Sequence, residues 1–148
     1  MMQKNIVKNI RAVSIKQDRR YNKTMELDLQ NKKTAEFALS KLFENWKNKD
    51  FKKLNKYVQK TWLLNGDKGE FKRMFGMFDL MDFYIYDKEV ITDCRHEVDF
   101  RADIVFQNKK RSMYGKANTI CEKALRTPSP NGKWGVNPIS LLRWVKQK

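Results

Sequence analysis

The chain has 148 residues, 41% of them hydrophobic, with nine Phe, five Tyr and four Trp, which supports one hydrophobic core of ordinary domain size and excludes wholesale disorder. Its net charge of +15 is segmental: nine cations face three carboxylates in residues 1–33, ten face five in 34–76, three face eight in 77–106, and ten face one in 107–148. Such a surplus points to an anionic partner (nucleic acid, an anionic membrane surface or an acidic protein face), the plain alternative being a solvated lysine-rich surface.

In residues 1–23, Ile6, Ile10 and Val13 stand at helical spacing among Lys4, Lys8, Arg11, Lys16, Arg19 and Arg20. The segment reads as a basic arm, either an amphipathic helix or a stretch that orders on a partner, and as a domain boundary near residue 33. Met25, Leu27 and Leu29 alternate as a short strand or extended lead-in. Thr34 is the expected N-cap of a helix whose stripe is Ala35, Ala38, Leu39, Leu42, Phe43 and Trp46, with Lys47 and Lys49 suiting its C-terminal end. Asp50 is the expected cap of a second helix facing inward with Phe51, Leu54, Val58 and Trp62. Asn65–Gly69 reads as a loop, followed by a short third helix carrying Phe71, Met74, Phe75 and Phe78.

From residue 80 the period becomes two. Met81, Phe83 and Ile85 alternate with polar residues, and Val98, Phe100, Ala102, Ile104 and Phe106 form the buried side of an antiparallel strand. Gln107–Arg111 is the expected turn of a long hairpin, and the returning strand spans about Ser112 to Leu125, with Gly115 as a candidate bulge. Asn131-Gly132 signals another hairpin, and the last strand is expected from Trp134 to Leu142, broken at Pro138. The predicted class is α+β: N-terminal helices packed on a curved antiparallel sheet.

Three features carry a resemblance. The first is the helix A-x-x-A-L-x-x-L-F-x-x-W from Ala35 to Trp46, followed by Asn48-Lys49-Asp50-Phe51 and a second helix. The second is the Phe-rich third helix, and the third is the closing segment from Pro128 to Asn137 between long strands. Over roughly residues 34–145 the chain resembles the nuclear-transport-factor-2-like superfamily. The resemblance implies a cone-shaped domain over 34–148, with a pocket between sheet and helices. That superfamily includes isomerases, dehydratases and other enzymes as well as many non-catalytic adaptors, so fold alone does not choose the function.

An acid–base pocket of that kind would draw on Tyr84, Asp99, Asp103, Tyr114, Asn118 and Glu122, with His96 as the sole histidine. Asp99, Arg101 and Asp103 share a strand face, which favours surface ion pairs over catalysis. No catalytic motif maps onto the chain. Cys94 and His96 sit two apart, short of the four ligands that zinc requires, and Cys121 has no neighbouring base, so neither a metal nor a cofactor is expected. Gly66 and Gly69 flank a simple turn and Lys68 is no phosphate-loop lysine.

The candidate anion contacts are therefore basic pairs: Arg19-Arg20, Lys52-Lys53, Lys72-Arg73, and above all Lys109-Lys110-Arg111, expected at a hairpin tip. Tyr21, Trp62 and Trp144 are candidate stacking partners, although core packing is the simpler reading for Trp62. The expected function is non-enzymatic: a binding or structural subunit of a nucleoprotein, phage or DNA-transfer assembly, contacting other protein subunits and DNA or RNA. The alternatives are a small-molecule enzyme or ligand-binding protein using the cone pocket, and a homodimeric scaffold using the outer sheet face. No apolar run reaches the ~20 residues of a membrane span. Two cysteines without a disulfide framework suit an intracellular, reducing compartment (cytoplasm or particle interior), with organellar targeting a weaker option.

Overall fold

The computed structural model describes residues 26–65, 72–73 and 75–141. The expectations placed on residues 1–25 (Arg19 and Arg20 among them), on the loop 66–70, on Phe71 and Met74, and on 142–148 lie outside the described residues.

Thr34 opens α1 (Ala35–Lys47): its extended backbone lets the hydroxyl accept from Phe37 N–H at 3.2 Å. The predicted stripe is the buried one, with Ala35, Ala38, Leu39, Leu42, Phe43 and Trp46 all nearly inaccessible. α1 ends in a Schellman-type reversal: Asp50 N–H donates to Asn45 O at 2.8 Å while Lys49 takes a left-handed conformation, φ 59°. Asp50 then caps α2 (Phe51–Leu54), accepting from Lys53 N–H at 3.1 Å.

The expected single second helix is corrected here. After α2 the chain tightens into a 3₁₀ turn, Asn55–Tyr57, becomes extended at Val58-Gln59, and re-enters a helix as α3 (Lys60–Asn65). The interruption is set by sheet pairing, because Val58 bridges Val136 in parallel and Gln59 N–H donates to Val136 O at 2.9 Å. Gly135 permits that approach: a Cβ there would lie 2.7 Å from Gln59 Cα.

The sheet consists of β1 (Asp79–Thr92), β2 (Arg95–Phe106), β3 (Lys109–Ala124), β4 (Thr127–Pro128) and β5 (Lys133–Val136), all antiparallel, with β4 and β5 both paired to β3. β2 behaves as its period predicts: Val98, Phe100, Ala102 and Ile104 are buried beneath α1. In β1 the expected alternation is displaced. Leu80 pairs with Ile104 and is buried, whereas Met81 is 53% exposed, because the register shifts between Leu80 and Asp82. A second shift between Ile85 and Asp87 brings Lys88 opposite Val98, on the covered side of the sheet. Gly115, the candidate bulge, pairs regularly with Phe100.

Three turn expectations also change. The β2–β3 reversal is only Gln107-Asn108, both left-handed (φ 52° and 66°), so Lys109-Lys110-Arg111 belongs to β3 and is no hairpin tip. Asn131-Gly132 is not a left-handed hairpin turn. Gly132 N–H closes a turn on Ser129 O at 2.9 Å, and its missing side chain leaves room for Glu122, whose carbonyl carbon a Cβ would approach to 2.2 Å. Pro138 does not break a strand. Residues 138–141 are helical, with Asn137 Oδ1 accepting from Ile139 N–H at 2.9 Å and proline at the first helical position.

Ahead of α1, residues 26–33 are irregular, yet Leu27 and Leu29 pack on the core. The space between α1 and the sheet is filled by rings. Phe43 meets Phe83 at a tilt and Phe100 edge-on, with ring centroids 5.2 Å apart in each case, and Trp46 meets Phe75 edge-on at 4.9 Å. The Trp46 indole N–H donates to Phe75 O and Phe78 O at 2.8 and 3.0 Å, tying the end of α1 to the chain entering β1.

Candidate functional site

The corner between α1 and α2 gathers cations. Lys49 is presented by the left-handed reversal, Lys52 by α2 and Lys72 by the helical turn before β1. With Asn48, Asp50, Phe51 and Asn55 they line an open groove of about 610 Å³. Lys53 stands exposed beside it, 3.8 Å from Asp50, and Arg73 is exposed next to Lys72. Lys49 also pairs with Asp79 at the start of β1. The Oδ1 of Asn55 is buried without a hydrogen-bond partner among the described residues. Two of the pairs singled out in the sequence, Lys52-Lys53 and Lys72-Arg73, are thus brought to one corner of the molecule.

Lys109-Lys110-Arg111 is placed differently. Strand alternation sends Lys110 to the opposite sheet face from Lys109 and Arg111. Lys110 and Arg111 line a smaller depression of about 320 Å³ together with Asp82 and Asp103. Lys110, on the face of Asp82 and Asp103, has its charge partly offset there.

The acid–base candidates do not converge. Asp99, Arg101 and Asp103 point away from α1, and the rows of that outer face can be read off the register: Asp82–Asp103–Ser112, Tyr84–Arg101–Tyr114, Asp87–Asp99–Lys116 and Glu89–Glu97–Asn118. Arg101 Nε binds Asp103 at 3.0 Å and its guanidinium lies 4.9 Å from the Tyr84 ring and 6.0 Å from that of Tyr114. Lys116 holds Asp99 at 2.9 Å, and Arg95 Nε donates to Asn118 Oδ1 at 2.9 Å. The Tyr84 hydroxyl donates to Asp82 at 3.0 Å, which pushes its pKa up.

Glu122 lies elsewhere, nearly inaccessible, accepting from Gln59 Nε2 at 2.9 Å, Thr61 N–H at 3.1 Å and Thr61 Oγ1 at 2.7 Å. His96 faces inward, its ring 4.5 Å from Trp134, and burial, with nearby Lys88 adding to it, lowers its pKa to about 4. Cys94, in the β1–β2 turn, and Cys121 of β3 are free thiols, and burial pushes the Cys121 thiol up. Among the described residues no His, Cys, Asp and Glu side chains cluster as a metal would need.

The sequence reading missed one cationic cluster. Lys56 and Lys60 follow Lys52 at helical spacing, and the fold brings Lys133 of β5 to them. The Lys133 ammonium sits 5.4 Å over the Tyr57 ring, and Lys60 Nζ donates to Lys123 O at 3.3 Å. Burial, and then the Lys60 and Lys56 charges, lower the Lys133 pKa. The long sequence separation of Lys133 hid this cluster, although the Lys52, Lys56, Lys60 spacing was visible.

No family model and no curated protein matches the chain. Among solved structures, the fold is similar to the crystal structure of a SEC-C motif-containing protein from Psychrobacter arcticus, with a TM-score of 0.57 and 12% identity over 81% of this chain. The match spans 64% of that protein's length. At this identity the likeness is one of fold, an α+β arrangement with a five-stranded antiparallel sheet, and carries no function.

Proposed function

We propose that this protein is a non-enzymatic binding module of a larger assembly, of nuclear-transport-factor-2-like cone architecture, that holds the phosphate backbone of a nucleic acid at the α1–α2 corner. The observation that carries the reading is the convergence of Lys49, Lys52 and Lys72 on one open groove. Exposed ammonium groups on a concave surface meet phosphates with little desolvation cost, and each contact releases counterions. Lys49, set at the groove by the left-handed cap of α1, shares its ammonium with Asp79, so it adds a third, partly neutralised cation to Lys52 and Lys72.

The outer sheet face suits a polyanion poorly. It carries Asp82, Asp87, Glu89, Glu97, Asp99 and Asp103 against Arg95, Arg101, Lys110 and Lys116. The ring-filled space between α1 and the sheet supports reading the interior as core and not as a reaction chamber.

Binding of labelled 20-mers, one duplex and one single-stranded, measured from 50 to 200 mM salt, tests the proposal. Affinity is expected to fall log-linearly with salt, and K52Q/K72Q to make the duplex slope shallower by about 1.8, since each phosphate contact contributes about 0.9. Absence of salt-dependent binding to both probes removes the nucleic-acid reading.

A further inference from the structure

Lys56, Lys60 and Lys133 form a second grouping of cations outside the groove: Lys133 lies over Tyr57, the neighbour of Lys56, and the N–H of Gln59, the neighbour of Lys60, donates to Val136 O of β5. Lys56 belongs to the 3₁₀ turn, Lys60 opens α3 and Lys133 opens β5, so three separate elements deliver like charges to one place. Among the described residues no carboxylate ion-pairs with any of the three. The acidic group closest in the register, Glu122 opposite Lys133, is turned inward and occupied by Gln59 and Thr61. Lys123 and Arg126 are exposed alongside, Arg126 held by its N–H to Thr61 Oγ1 at 3.0 Å. The Lys133 ammonium rests over Tyr57, whose ring is in turn braced edge-on by Phe37 at 6.4 Å. That contact limits how far the Lys133 side chain can swing away from Lys56 and Lys60.

Clustered ammonium groups without a counter-carboxylate repel one another, and the repulsion is relieved when an anion bridges them. Lys52 and Lys53 connect the cluster to the groove along the same stretch of chain, Phe51 to Lys60. We infer that Lys56, Lys60 and Lys133 are a second set of phosphate contacts, so that a nucleic-acid backbone runs from the Lys49–Lys72 groove along the α2–α3 segment to the start of β5. The inference rests on the function proposed above and extends it from a single groove to a track. Tyr57 acts in it as a positioning residue for Lys133 and does not itself stack on a base.

The test uses the full chain with the same two labelled 20-mers. The variant K56Q/K60Q/K133Q is expected to make the duplex salt slope shallower by about 2.7, and the single-strand slope by about 2.1. The charge-conserving K56R/K60R/K133R is expected to restore the wild-type slope, which a loss of folding in the Gln variant would not mimic. A Gln variant with the wild-type slope, while K52Q/K72Q loses slope, overturns the track and leaves the groove standing. No salt-dependent binding by the wild type overturns both. Binding to phosphatidylserine vesicles without binding to either oligonucleotide overturns the nucleic-acid track in favour of a lipid surface.

Discussion

Two inward-facing residues carry costs that surface cations do not. The Lys88 ammonium lies 3.0 Å from both oxygens of Glu36, and the two side chains are 8% and 0% exposed. Glu36 also accepts from Asp28 N–H at 2.8 Å, which fastens the lead-in to α1. Removing one partner of a buried pair strands the other, so Lys88→Met is expected to lose about 3–5 kcal/mol. The double variant E36Q/K88M should recover most of that loss in urea titrations; an equal loss in both would mean that packing, and not the stranded carboxylate, sets the cost. His96 titrates in the opposite sense from a salt-bridged histidine. Its folded-state pKa of about 4 lies below the ordinary 6.5, so its contribution to stability is complete above pH 6.5 and is lost as pH falls towards 4. Partial exposure limits the effect to on the order of 2 kcal/mol. Between pH 7 and 4.5 the urea midpoint of His96→Gln should fall less than that of the wild type, and parallel falls would assign the acid sensitivity to carboxylates alone.

At the scale of elements, sequence periodicity located α1, β2 and most of β3, because each buries a regular stripe under one large partner. Irregularities were not legible. The displacements after Leu80 and after Ile85 each insert one residue without any change of composition, yet the second is what brings Lys88 to Glu36. Pro138 interrupts a strand pattern in the sequence, yet asparagine before proline is also the signature of a capped helix start, which the fold adopts. The break between α2 and α3 has no local cause and follows from the Val58–Val136 bridge. Of the candidate site, the lysine pairs at 52–53 and 72–73 were visible, while their convergence and the arrival of Lys133 required the tertiary fold. The reversal after α1 gives a separate test. Lys49→Gly relieves a left-handed residue, worth about 1 kcal/mol, against an exposed ion pair to Asp79 worth less than about 1 kcal/mol. The thermal midpoint is expected to hold or rise while oligonucleotide affinity falls. A drop in both would indicate that the Asp79 pair dominates the corner.

At the scale of the molecule, the described residues separate their charges. Carboxylates collect on the side of β1 and β2 turned away from α1, and the exposed lysines of the groove and of the α2–α3 segment collect around the helices and the β5 edge. Within it Arg101 is paired with Asp103 beside Tyr84 and Tyr114, and the Lys133 ammonium lies over Tyr57. A body so polarised acts as a permanent electric dipole. If the proposed nucleic-acid partner is its target, that dipole would rotate the protein before contact, and added electrolyte would slow capture more than it hastens escape.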